Sequence, residues 1–314
     1  MPSKRRIWKG ILQEYLKDCE ERQLAKCTIS SYRDTLTEIL ILLEEAGLNT
    51  HPAKIDKSDC AFVMSNLGHA VSTMKTTHAI FSRFLTFHGN ISLKKLGIVF
   101  PQDNRPNVDW IEPEELEAVK AVCADPLERF LVHCEGELGM RRIAVMRLDI
   151  DSFDTRRRTT RVRGKGRLGG KIRPVKFHEN TPRILDEFLN WRQEQIFKAI
   201  PQNPNIGSSK ELVLTWNKGI LKPATKGTMN AVIANVSQRF GKHFTHHTLR
   251  RSCGRMMWKS GVQIETIKKF LGHESVDTTI MYLGINLDDL DEAMQMMSQY
   301  QKALVCPEEG IFEP

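Results

Sequence analysis

No cysteine of the 314-residue sequence stands in a C-x-x-C pair; the seven (Cys19, Cys27, Cys60, Cys123, Cys134, Cys253, Cys306) are odd in number and widely spread. That pattern argues against a disulfide framework and a zinc knuckle, and reads as a reducing compartment. No apolar run approaches a membrane span, and the start, Met1-Pro-Ser-Lys-Arg-Arg-Ile-Trp8, enters an amphipathic pattern without an apolar h-region. A cytoplasmic protein without a membrane partner is expected. The phosphate-loop pattern G-x-x-x-x-G-K-[ST] is not met, because Lys171 is followed by Ile172 and Lys165 has no correctly spaced glycine before it. An HExxH pattern is missing, and His246-His247 has no Cys or His partner at ligand spacing, so neither metal nor cofactor is expected. Internal repeats and low-complexity segments are also lacking.

What the sequence does have is a basic excess that is unevenly placed along the chain. Forty-six Lys and Arg against 38 Asp and Glu leave a net +8, and 40% hydrophobic residues mark an ordinary globular chain. The length suits two domains, each able to bury its own core. Ten basic residues and no acid fall between positions 155 and 177: Arg156, Arg157, Arg158, Arg161, Arg163, Lys165, Arg167, Lys171, Arg173 and Lys176. From 285 to 314 the sign reverses, with seven acids against Lys302. The basic stretch could bind the phosphates of a polyanion, and the expected location is cytosolic or nucleoid-associated.

Apolar periodicity predicts four or five helices over residues 7–98. One carries Tyr32, Leu36, Ile39, Leu40 and Leu43 after a cap at Thr28 and stops near Gly47; another runs from Ser72 through Phe81, Phe84 and Leu85 to Gly89, leaving Lys75 and Arg83 on an outer face. Residues 1–99 therefore read as a helical domain. The FPQDNRPNV segment, with two prolines and two asparagines, makes 100–110 an exposed linker. Residues 111–285 form a second domain and 286–314 an acidic tail. In the second domain helices are expected at 113–122, 126–138, 181–195, 228–240, 248–259, 264–270 and from 275 onward. A β-like stretch is expected at 148–153, and strands at 159–163 and 172–176. Four glycines in the eight residues between those strands predict a flexible hairpin tip.

Four places could carry chemistry, and each has a bland reading. In Gly139-Met-Arg141-Arg142 an arginine at a helix start is commonly a solvated charge. The hairpin could be a solvated turn, although no acid compensates it; a lysine on its tip with arginines along both strands suits a nucleic-acid backbone. His247 and Arg250 project from one helical face toward a common anion, yet a lone H-x-x-R favours a structural role. Leu271-Gly-His273 with Thr278-Thr-Ile-Met-Tyr282 puts a tyrosine where it could be core.

Their order and combination are far more specific. Gly-Met-Arg141, Gly-Lys165-Gly in a hairpin, His247-Thr-Leu-Arg250, Leu-Gly-His273 and Thr-Thr-Ile-Met-Tyr282 together resemble the tyrosine recombinase (phage integrase) family, over roughly 139–285. The resemblance implies a mainly α fold with a small antiparallel β-sheet, built from an N-terminal helical core-binding (SAM-like) domain and a mixed α/β catalytic domain. It implies a site-specific DNA recombinase or integrase working through a 3′-phosphotyrosyl link, with Tyr282 as nucleophile. Strand exchange without ATP needs such a covalent link, and a phenol with a reference pKa of about 10 must be positioned and deprotonated to supply it. Arg141 and Arg250 would clamp the phosphate oxygens, Lys165 would protonate the leaving 5′-oxygen, His247 would accept the tyrosine proton and His273 would hydrogen-bond the phosphate. Lys75, Arg83, Arg156, Arg157, Arg158, Arg161, Arg163, Arg167, Lys171 and Arg173 would contact DNA. The implied partner is double-stranded DNA, with a homotetramer on two sites, a monomer or dimer in free solution, and accessory DNA-bending proteins as further candidates. The acidic tail, with Leu287, Leu290, Met294 and Met297 at helical spacing, would either cover its own domain or dock on a neighbouring protomer. One departure stands out: Ala144 occupies the place, three after the first arginine, where the family usually has an acid. Arg142 offers a competing register for that arginine, and Arg141 is preferred because Gly139 and Leu148 then fall into place. The alternatives are a non-catalytic DNA-binding relative and a type IB topoisomerase-like enzyme.

Overall fold

Apolar residues at three- and four-residue spacing build the described part of the N-terminal unit around the α-helices α1 (Lys4–Glu21), α2 (Lys26–Glu45), α3 (Lys57–Asn66), α4 (Val71–Phe87) and α5 (Ser92–Leu96). The structure is a computed structural model that describes residues 4–101, 109–164, 170, 172–284, 294, 295, 297–299 and 301. Its chain falls into two compact units divided within 102–108. In the first, Trp8, Leu12, Tyr15 and Leu16 of α1 pack with Leu36, Ile39, Leu40 and Leu43 of α2 and Phe81, Phe84 and Leu85 of α4. Helix α2 starts two residues before Thr28, after Ala25, which offers no side-chain cap. It ends as its sequence predicts: Gly47 at φ +69° lets the Leu48 N–H reach the Leu43 carbonyl at 2.9 Å.

The second unit contains α6 (Pro113–Ala121), α7 (Pro126–Gly136), α8 (Arg142–Val145), β1 (Phe153–Asp154), β2 (Thr159–Arg163), β3 (Ile172–Lys176), α9 (Thr181–Ala199), β4 (Leu214–Asn217), β5 (Ile220–Pro223), α10 (Lys226–Phe240), α11 (His246–Lys259), α12 (Ile264–Leu271) and α13 (Val276–Leu283). Helix α7 is buried on almost every side and packs on α9, where the Phe130 and Phe188 rings stack at 4.3 Å. The fold is mainly α, with an antiparallel β1-β2-β3 sheet and a separate β4-β5 hairpin. In β2 the side chains alternate: Thr160 and Val162 are buried, Arg161 and Arg163 exposed. Val162 pairs with Arg173 of β3, so Arg173 shares the inward face.

Two β elements depart from the sequence reading. The strand expected at 148–153 shrinks to Phe153–Asp154, because Asp149 and Ser152 close a turn through Ser152 N–H to the Asp149 carbonyl (2.9 Å) and Asp149 N–H to Ser152 Oγ (2.8 Å). The β4-β5 hairpin was not expected; its two-residue turn places Lys218 at φ +49° and Gly219 at φ +74°, the primed geometry that matches strand twist. The hairpin tip is described only at Gly164 and Gly170, so Lys165, Arg167 and Lys171 lie outside the described residues. Most of the linker and tail, including Leu287 and Leu290, lies outside them too, while Met294 and Met297 are exposed.

Candidate active site

After α7 the chain reverses through Gly139, whose φ of +56° suits glycine and whose position leaves no room for a side chain. A Cβ there would lie 2.9 Å from Leu271 Cδ2, 3.1 Å from Cys253 Sγ and 3.2 Å from Phe270 Cε1. This tight turn delivers Arg141 to the N-cap position of α8, with its guanidinium donating to the carbonyls of Gly272 (3.1 Å) and Leu271 (3.4 Å). Arg142 instead turns to the Asn230 amide oxygen, so the structure places Arg141, not Arg142, beside the other candidates.

Helix α11 is capped by Thr245, whose hydroxyl accepts from the Thr248 N–H at 3.3 Å. From it Arg250 projects inward, 2% exposed, donating to the carbonyls of Gly139 and Leu271. Its Nη2 lies 3.4 Å from His273 Nε2. Helix α12 ends at Gly272 in the left-handed conformation, and Arg173 donates to the Phe270 carbonyl at 2.6 Å. The three successive carbonyls of residues 270–272 thus accept from Arg173, Arg250 and Arg141, at the helix end where the peptide dipole favours cations. His273 follows, held through Nδ1 to Thr279 Oγ1 at 3.1 Å.

Tyr282 sits in the last turn of α13. Its ring meets His273 edge to face at 4.9 Å, with the Arg250 guanidinium 5.9 Å and the Arg251 guanidinium 5.2 Å from its centre. Its hydroxyl donates to the His247 carbonyl at 3.3 Å. The His247 side chain is exposed on the same turn of α11.

Burial and crowding of like charges set the protonation states. Burial, and then Arg141, push the Arg250 guanidinium down to about 10, and Arg173 is lowered to about 10 by the same two causes. His273 is lowered to about 4, chiefly by burial and then by Arg250, Arg141 and Arg173, so its ring is neutral at neutral pH. Burial raises the Tyr282 phenol, against the pull of Arg250, Arg251 and Arg141. The site can therefore bind an anion with fixed guanidinium groups, accept or donate a hydrogen bond through a neutral imidazole, and present a phenol.

Of the sequence candidates, the side chains of Arg141, Arg250, His273 and Tyr282 come together, and His247 reaches them through its backbone carbonyl. Arg173 joins them from the inward face of β3, apart from the exposed Arg156, Arg157, Arg158, Arg161 and Arg163. Arg157 pairs with Asp154 (3.8 Å) and Arg158 with Glu179 (3.0 Å). In the first unit Lys75 donates to the Pro101 carbonyl at 3.0 Å, and Arg83 to the Tyr32 hydroxyl. Sequence reasoning overlooked Glu135, which is fully buried in α7 and accepts from His246 Nδ1 at 2.7 Å, tying the start of α11 to the helix that leads to Arg141. Its carboxyl is raised by burial, against the His246 imidazole. Among the described residues no group of three or more His, Cys, Asp or Glu side chains is arranged to hold a metal ion, and no helix is long and apolar enough to cross a membrane.

A sequence model of the phage integrase family matches residues 110–287, more than half of the chain and all of the cluster just described. The chain belongs to the phage integrase family of tyrosine recombinases. Relatives of this tyrosine recombinase include tyrosine recombinase XerC of Oceanobacillus iheyensis, 25% identical over 294 residues, covering 89% of this chain and 92% of that one. Tyrosine recombinase XerD of Corynebacterium glutamicum is 26% identical over 297 residues, covering 87% and 92%. The fold matches the XerH site-specific recombinase bound to a palindromic difH substrate in a post-cleavage complex, with a TM-score of 0.67, 19% identity, and 91% of this chain and 84% of that one covered. It also matches a lambda integrase dimer bound to a core site, with a TM-score of 0.65, 14% identity, and 88% and 94% covered.

Proposed function

We propose that this tyrosine recombinase cleaves and rejoins DNA at specific sites through a 3′-phosphotyrosyl intermediate, with Tyr282 as nucleophile. One observation carries the reading: Arg141, Arg250, His273 and Tyr282, from separate segments of the chain, meet around one point, with both guanidinium groups fixed by backbone carbonyls. The Tyr282 oxygen attacks the phosphorus, the bond to the 5′-oxygen breaks, and the 5′-hydroxyl of an incoming strand later reverses the step. The phenolic proton passes to His247, which is exposed on the turn whose carbonyl already holds the hydroxyl. Lys165 delivers a proton to the departing 5′-oxygen. Arg141 and Arg250 neutralise charge that grows on the non-bridging oxygens, and removal of either costs roughly 3 kcal/mol in the barrier, or about 10²-fold in rate. His273, neutral and oriented by Thr279, donates or accepts a hydrogen bond at a phosphate oxygen.

The substrate is double-stranded DNA. The solved relatives described as bound to difH and core-site DNA support this, as do Arg161 and Arg163 on the outward face of β2. The N-terminal unit serves as core-binding domain, with Lys75 and Arg83 toward the DNA backbone. Four copies assemble on two sites from monomers or dimers in the cytoplasm, with the acidic tail contributing to assembly. A nicked suicide duplex carrying the cognate site tests the chemistry: the native chain is expected to trap a covalent adduct and Tyr282→Phe none. A native chain that binds the verified site and forms no adduct would identify a DNA-binding relative without catalysis.

A further inference from the structure

Helix α11 does more than carry Arg250. On its other side the chain entering the catalytic unit, residues 109–112, lies along it: the Ile111 N–H donates to Ser252 Oγ at 2.7 Å, and Lys259 lies 3.7 Å from the Glu112 carboxylate. Two arginines one turn apart reach both ways from this helix. Arg251 donates from Nη1 to the Asp109 carbonyl (3.1 Å) and from Nε to the carbonyl of Tyr282 itself (3.0 Å). Arg255, 3% exposed, has its guanidinium 4.1 Å from the centre of the Trp110 ring and donates to the Leu283 carbonyl at 3.4 Å. Between them Gly254 lets α13 approach, since a Cβ there would lie 3.0 Å from Leu283 Cδ2. The last turn of α13 is thus held at two successive carbonyls by side chains that also grip two successive residues of the entering segment.

We propose that Arg251 and Arg255 are positioning residues that set the place of Tyr282 by tying the carbonyl end of α13 to Asp109 and Trp110. The proposal rests on the reading of Tyr282 as nucleophile. A planar guanidinium can bridge two carbonyls from Nε and Nη1 at once, which an ammonium on a single stem cannot do in the same geometry. Arg251 is therefore required as a fork and not only as a charge beside the phenol. Displacing a reacting group by about 1 Å costs on the order of 10²-fold in rate, while binding of the remaining substrate is retained.

Adduct formation on the nicked suicide duplex at saturating DNA, measured beside DNA affinity, tests the idea with Arg251→Lys, Arg251→Met and Trp110→Leu. A second substrate carries a 3′-p-nitrophenyl phosphate: an added 5′-hydroxyl attacks the phosphorus, the aryl oxygen leaves as p-nitrophenolate, and no tyrosine is involved. The expected result is a loss of about 10²-fold in adduct formation for both Arg251 variants. Trp110→Leu should show a smaller loss in the same direction, with DNA affinity and p-nitrophenolate release close to native in all three. Native adduct rates in Arg251→Lys would reduce the residue to a charge, and native rates in Trp110→Leu would uncouple the entering segment; either overturns the proposal. Equal loss of adduct and p-nitrophenolate release would mean general damage to the site, and overturns it as well. Should Arg251→Met fail to fold, Arg251→Lys and Trp110→Leu decide alone. Failure of the underlying reading shows separately, as no adduct with the native chain.

Discussion

His273 gives the most quantitative expectation. Its imidazole is lowered from the ordinary 6.5 to about 4, because it is half-buried and faces Arg250, Arg141 and Arg173. Between those values the unfolded chain binds a proton that the folded chain refuses, so stability is complete above pH 6.5 and falls as pH drops toward 4. A shift of that size is worth at most about 3 kcal/mol, and roughly 2 kcal/mol at about pH 4.5 once solvent screening at a half-buried ring is allowed for. The perturbation is His273→Gln, which keeps a polar group near Thr279 and Arg250 but cannot titrate. Urea unfolding at neutral pH and near pH 4.5 should show the native chain losing about 2 kcal/mol more than the variant across that interval. An NMR titration of the ring should report the same depressed midpoint, moving upward when a phosphate or DNA anion offsets the arginines. Parallel losses in the two proteins, with a ring titrating near its ordinary value, would refute both the burial and the crowding of cations described for this site.

Two further expectations concern the frame. Glu135→Leu and His246→Leu each strand a buried polar partner and should cost about 3 kcal/mol in urea unfolding, while the double variant costs well below the sum; simple additivity would mean that the pair is not coupled. Gly139→Ala must bear both left-handed backbone strain and contact with Leu271 and Cys253. It should lose about 2–4 kcal/mol, against about 1 kcal/mol for Gly47→Ala, where a Cβ meets nothing within 4 Å. Equal losses at the two glycines would remove the steric part.

The candidate site was legible because its members are motif residues in a fixed order, and the structure gathers the side chains of four of them, with the backbone of His247 beside the phenol. Helix periods were legible too, but two starts were read late for one reason. Thr228 and Thr248 stand at the third helical position, and the caps are Thr225 and Thr245, whose hydroxyls accept from them. The inward direction of Arg173 depends on β2-β3 register, which a run of alternating charges does not reveal. The β4-β5 hairpin is short and signalled only by Asn217-Lys-Gly219. The Glu135–His246 contact joins residues 111 apart, and nothing in the sequence around Glu135 announces its partner.

The three carbonyls that close α12 have a consequence for how a phosphate would be received. Guanidinium groups repel one another, and three loose side chains would have to be herded together each time an anion arrived. Here the herding is finished during folding, with lone pairs of the polypeptide itself holding the three groups beside one another. An incoming anion then meets a rigid cradle whose internal repulsion it relieves, and little conformational freedom remains to be surrendered at the moment of capture.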